Sequence, residues 1–201
     1  MVKNFMMSYL NRTLIGLRFI TIFICLDSIG QERGSYIDNR DGKKYQTITI
    51  GGQTWFAENI AFETKKGSWI YKKNIENLKI FGRLYNWEAA CEVCPIGWKL
   101  PSLEAYKTLL KNITVKDSTQ YYDFLIEGGK SGFDIKLAGW YAGRKYGQLN
   151  EHSDFWTSTI YQPFSGATKN AYRFSIYKVD KLVYWNSDYN YYGFSVRCIK
   201  N

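Results

Sequence analysis

Apolar and polar positions alternate with two different periods along this chain, and the change of period divides it. Tyr45-Gln46-Thr47-Ile48-Thr49-Ile50 alternates with period two, Gly51-Gly52 breaks the run, and Gln53–Ala57 restarts it. After the turn signal Asp41-Gly42 this predicts a β-hairpin. Residues 63–80 are mixed and Lys-rich and predict a loop. Between Phe81 and Cys91, Leu84, Trp87 and Cys91 recur at helical spacing, which predicts a helix. Cys94–Pro101 carries two Pro and a Gly and cannot continue it. Ser102 is placed to cap a second helix, with Glu104 near its positive end and Leu103, Tyr106, Leu110 and Ile113 as its buried face. The stretch around 112–130 is irregular.

From residue 126 onward the pattern is one of strands and turns. Gly128-Gly129 and Gly132 mark turns, and a strand is expected within Asp134–Tyr141. Phe155–Ile160 is a stronger strand, and Ala171–Tyr177 alternates with Tyr172, Phe174 and Ile176 on one face. Leu182–Asn186 and Phe194–Lys200 complete an antiparallel set. Helices first and strands afterwards give an α+β domain, two helices packed on short antiparallel strands with long loops.

Residues 1–30 differ from the rest. Lys3, Arg12 and Arg18 precede the apolar run Phe19–Leu26, and Ser28-Ile29-Gly30 supply small residues before Gln31. This is the layout of a signal peptide, and the run is far short of the roughly 20 residues that span a bilayer. Residues 31–40 are polar and are expected as a flexible leader, with one domain over 41–201. The alternative for Cys25 is lipidation, the only membrane attachment expected. Ile24 stands where a lipoprotein signal wants a small residue, so secretion is preferred.

Composition adds one thing. With 17 Tyr, 12 Phe and 7 Trp the chain holds more aromatics than one core consumes, so some belong on the surface. The formal net charge is +9, but the Lys and Arg residues never run beyond a pair and no nucleic-acid-binding motif accompanies them. A solvated basic surface accounts for them, and nucleic acid is not an expected partner.

After export, Cys91, Cys94 and Cys198 remain, an odd number. Cys94 sits in a rigid segment and Cys198 in a strand pattern, so one pairing ties mid-chain to the C-terminus and leaves Cys91 as a buried helical thiol. The competing reading makes Cys91-x-x-Cys94 a redox or metal pair, for which only His152 and Cys198 are available as further zinc ligands and no βαβ context exists.

The order of motifs is more specific than any one of them. Asp41-Gly42-x-x-Tyr45, Ile50-Gly51-x-Gln53-x-Trp55-x-Ala57-Glu58-Asn59, Gly82-x-Leu84-Tyr85-Asn86-Trp87 and Cys94-Pro95-x-Gly97-Trp98-x-Leu100-Pro101 come first. Ser131-Gly132-Phe133, Leu137-Ala138-Gly139-x-Tyr141, Phe155-Trp156-Thr157-Ser158-Thr159 and Tyr192-Gly193-Phe194-Ser195-Val196-Arg197-Cys198 follow. Over roughly residues 38–200 the series resembles the Fibrobacter succinogenes major paralogous (FISUMP) domain. The resemblance implies an exported, often surface-attached bacterial protein with a fold similar to C-type lectins and formylglycine-generating enzymes. It also implies a Cys94–Cys198 disulfide. It assigns no biochemical activity.

Recognition is expected on loops near the C-terminus. Tyr184, Trp185, Asn186, Asp188, Tyr189, Asn190 and Tyr191 alternate flat aromatics with short polar groups, a mixture suited to sugar rings or a protein partner. The bland alternative is cross-strand packing on a sheet face. Trp185-Asn186-Ser187-Asp188 is similar to the Trp-Asn-Asp calcium motif of sugar-binding lectins, but one residue is inserted and no carboxylate cluster accompanies it, so no calcium, other metal or cofactor is expected. Glu151-His152-Ser153-Asp154 is the best constellation for chemistry, but no second element of a site is identifiable and a polar loop is the simpler reading. The expectation is a non-enzymatic binding module for a glycan or protein. The alternative is a structural component of a surface adhesin or fimbria-like array.

Overall fold

A computed structural model describes residues 31–113, 115–162 and 170–201. The expected signal peptide and the Cys25 anchor lie outside the described residues. The domain is α+β, with small antiparallel sheets. Its elements are β1 (Glu32–Ile37), β2 (Lys44–Ile50), β3 (Gln53–Phe56), β4 (Ser68–Trp69), α1 (Ile75–Phe81), β5 (Leu84–Tyr85), α2 (Trp87–Val93) and β6 (Trp98–Lys99). They continue with α3 (Leu103–Lys111), α4 (Gln120–Leu125), β7 (Trp140–Ala142), β8 (Lys145–Gly147), β9 (His152–Tyr161), β10 (Asn170–Tyr177), β11 (Val183–Tyr189) and β12 (Ile199–Lys200).

The predicted hairpin is β2–β3, joined by Gly51 and Gly52 at φ +56° and +80°, a turn that needs positive φ at both positions. Successive residues face opposite sides, so Tyr45 and Phe56 stack at 4.7 Å in one core cluster while Ile48, Ile50 and Trp55 enter another. This hairpin sits inside a five-stranded sheet of order β1-β2-β3-β12-β6, where the C-terminal β12 pairs with β3 and β6. A second sheet has the order β11-β10-β9. The short pairs β4–β5 and β7–β8 are joined to the rest by single bridges at Tyr85–Phe194, Tyr141–Gly193 and Phe155–Ser195.

Several expectations are corrected. The flexible leader is β1, which pairs antiparallel with β2 although nearly all its side chains are exposed. The loop of residues 63–80 contains β4 and most of α1, capped by Asn74 through the Glu76 amide. The helix of Phe81–Cys91 starts only at Trp87. Gly82, at φ +72°, ends α1, Leu84-Tyr85 are extended, and Asn86 caps α2 by accepting from the Ala89 amide. In place of two helices there are four α-helices among the described residues, α4 lying in the irregular stretch with Tyr122 and Leu125 buried.

Ser102 does cap α3, accepting from the Ala105 amide at 3.1 Å. Its buried face is Tyr106 and Leu109, with Leu103 and Leu110 only half-buried; Tyr106 stacks on Phe174 of β10 at 4.8 Å. The bridge Cys94–Cys198 is formed, with a Cα separation of 5.7 Å, so Cys91-x-x-Cys94 is not a redox or metal pair. Cys91 lies on α2 but is exposed, not buried.

Candidate functional site

The segment singled out for recognition is a strand, not a loop. β11 is the outer strand of its sheet, so its side chains alternate between two faces. Trp185 packs on Phe174 at 5.2 Å, beside the core that contains Phe155 and Ile176. Tyr184 points the other way and stacks on Tyr177 at 5.2 Å. On that same face Asp188 accepts from Arg173 Nε at 2.9 Å. Asn186 is exposed, and its Oδ1 accepts from the Ser187 amide. These four residues therefore do not share one surface.

The end of the segment does gather. Tyr189 and Tyr191, 40% and 59% exposed, stack at 5.3 Å, and Tyr192 meets Tyr191 edge-on at 4.9 Å. The turn is closed by the Tyr192 amide donating to the Tyr189 carbonyl. Asn190 at its centre is buried, its carbonyl accepting from the Trp87 amide, while its side-chain Oδ1 has no partner among the described residues. Burial, with the Tyr191 and Asp188 neighbours, raises the Tyr192 phenol.

The turn runs directly into Gly193, over which Trp69 and Tyr141 stack at 4.3 Å. A Cβ at Gly193 would lie 3.0 Å from the Trp69 ring and from the Tyr141 Cβ, so the glycine makes room for that stack. Tyr146 and Tyr71 extend the row at 4.9 and 5.1 Å. Two separated segments, 69–71 and 141–146, contribute its rings, and in the sequence only the motifs that contain Tyr141 and Gly193 touch it.

Behind β11 lies a buried polar network. His152, expected in a loop, is a strand residue 2% exposed. Its Nδ1 faces Gln148 Oε1 and its Nε2 faces Asp154 Oδ1, both at 3.0 Å, and its ring stacks on Tyr177 at 3.7 Å. Asp154 also accepts from Arg173 and from Ser175 Oγ, and Arg173 carries the connection on to Asp188. Burial works against the Arg173 charge, but Asp154 and Asp188 outweigh it and raise the guanidinium. Ser175, the hydroxyl of this cluster, contacts Asp154 and Arg173 and not the imidazole, and both imidazole nitrogens are engaged. The arrangement ties β11 to β9 through β10. Glu151 and Ser153, the other members of the predicted constellation, turn instead to Lys178 and to the Ala138 amide.

Among the described residues no group of three or more His, Cys, Asp or Glu side chains is placed to hold a metal ion. A family model described as the Fibrobacter succinogenes major domain matches residues 48–200. No curated protein and no solved structure matches the chain.

Proposed function

The chain belongs to the Fibrobacter succinogenes major domain family, and from that premise and the geometry of the tyrosine turn we propose that it is an exported, non-enzymatic binding module of lectin-like fold that recognises a glycan. The observation that carries the reading is the exposed pair Tyr189 and Tyr191 braced by Tyr192. Rigid rings offer flat faces for sugar C–H groups, and phenolic hydroxyls offer hydrogen bonds at low entropic cost. The Cys94–Cys198 bridge supports export, since such bonds persist in oxidising compartments. The return of β12 to pair with β3 supports the lectin-like reading, as it brings the two ends of the domain together.

A glycan array followed by calorimetry tests it. Tyr191→Ala is expected to weaken binding by about tenfold or more, as truncation of an aromatic anchor does. Trp185→Ala is expected to lower stability instead, because that ring packs on Phe174. Absence of binding to any glycan, or full affinity in Tyr191→Ala, rejects the reading. A second reading, assembly into a surface array, is favoured by the outer position of β11, whose free edge can add a strand from another molecule. Sedimentation separates the two.

A further inference from the structure

A cleft of about 440 Å3 lies apart from the tyrosine turn and shares no lining residue with it. Its size is within the range of about 300–1,000 Å3 typical of small-molecule sites. It is bounded by β1, β2, the C-terminal end of α1 and the segment 127–136, and its lining includes Arg197 and Asn59.

Arg197 has no exposed surface, and no carboxylate is within ion-pair distance of it among the described residues. Its Nε donates to Asn59 Oδ1 at 3.1 Å, its Nη2 to the Asp134 carbonyl at 2.7 Å, and its Nη1 to the Phe133 carbonyl. A guanidinium has five N–H donors. Three are thus met by neutral acceptors, and two are left over. Burial pulls this group down to about 10, an effect that Tyr106, Asp134 and Glu58 nearby offset only in part. The Asp134 carboxylate, which could have done so, turns to Arg33 and to the Gly128 amide.

The rim is made of partly exposed ion pairs: Arg33–Asp134 at 3.4 Å, Lys43–Glu58 at 3.6 Å and Lys136–Glu127 at 2.7 Å. Such pairs are worth little in water and exchange readily for a ligand. Counting Lys79, the lining carries five cationic side chains against three carboxylates. That excess of two positive charges favours an anion over a neutral ligand, while the three carboxylates disfavour a densely charged one. Alternating donors and acceptors around the opening suit hydroxyl groups.

We propose that this cleft binds a small hydroxylated carboxylate of the sugar-acid class, its carboxylate taken by the spare donors of Arg197 and its hydroxyls by the rim pairs, which part to admit it. A planar guanidinium matches a carboxylate in two parallel hydrogen bonds, which an ammonium does not reproduce.

The test is a 1H–15N NMR titration of the protein with sodium glucuronate at fixed ionic strength, with glucose and inorganic phosphate in parallel. Glucuronate is expected to give saturable shifts at the amides of Ala57, Asn59, Gly82 and Gly128; glucose gives none and phosphate only weak ones. Lys136→Ala, a rim change that leaves the floor intact, weakens glucuronate by about tenfold, the loss of one charge-assisted hydrogen bond. Arg197→Lys abolishes the shifts if the variant folds, and Lys136→Ala keeps the test decisive if it does not. No glucuronate shifts up to about 10 mM, a range reaching well past weak millimolar binding, would overturn the proposal. So would equal response to glucose or phosphate, or unchanged affinity in Lys136→Ala.

Discussion

Asp38 shows how one side chain holds two elements in place. Its carboxylate has no exposed surface, yet it accepts from the Arg40 amide, from Nε at 2.9 Å and from Nη2 at 2.6 Å. The same Nη2 donates to the Val93 carbonyl at the end of α2, and the guanidinium lies 3.9 Å over Phe62. Burial alone would raise the carboxyl, but the hydrogen bonds and charge of Arg40 outweigh it and hold it below the usual aspartate range. A carboxyl lowered in the folded state contributes its full stabilisation above the unfolded value of about 3.9 and loses it as pH falls through the lower folded value. Asp38→Asn is therefore expected to reduce the urea midpoint at pH 7, with the gap to the unmodified protein closing as pH drops below about 4. A gap that stays constant down to pH 2, well below that reference, would mean that the ionised pair contributes nothing. None of this was legible from Asp38-x-Arg40 in the sequence. Two charges two residues apart read as surface, and only the pairing of β1 with β2 encloses the turn between them.

At the level of elements, the disulfide anchors the C-terminal strand that lies between β3 and β6 in the first sheet. β12 is two residues long and makes one registered pair with β3 and two with β6, too few to hold a strand by themselves. Cys198, the residue before it, is bonded to the end of α2 across 104 residues. Closing a loop of that length stabilises by about 2–5 kcal/mol, largely by restricting the unfolded chain. Replacing both Cys94 and Cys198 by Ser is expected to lower stability by that amount in urea unfolding, with amide exchange rising first at Cys198, Ile199 and Lys200; protection unchanged there would show that packing alone suffices. Elements with a buried face were legible in the chain. β2, β3, α3, β9 and β10 alternate or recur at the right period because half of each is in a core. β1 was not, since its side chains are nearly all exposed and only its backbone is used. Neither was α1, whose cap is clear but which buries only Phe81. The recognition segment was legible in composition and misread in shape. The mixture in Tyr184–Tyr191 is real, but register with β10 decides that Trp185 faces the core, Asp188 faces Arg173, and of the aromatic rings only Tyr189 and Tyr191 are exposed.

For the molecule as a whole, the open edge of β11 decides between a domain that binds singly and one that polymerises. The Tyr177 amide donates to the Leu182 carbonyl, and with Ile176 opposite Val183 this phase turns the backbone groups of Val183, Trp185, Ser187 and Tyr189 away from β10. An outward row of this kind is a template for another strand. Two of its groups are already engaged: the Ser187 amide donates to Asn186 Oδ1 at 2.8 Å, and the Tyr189 carbonyl accepts from the Tyr192 amide at 2.9 Å. An incoming strand would have to displace both and would unmake the tyrosine turn in doing so. The same contacts that shape the proposed glycan surface thus guard the edge beside it, which favours binding over assembly. In sedimentation velocity the protein is expected to run as a monomer, while Asn186→Val, which frees the Ser187 amide and raises strand propensity, is expected to self-associate with rising concentration. Oligomers of the unmodified protein that dissociate in Trp185→Lys, a charge set beside the edge, would reverse the ranking and make assembly the primary role.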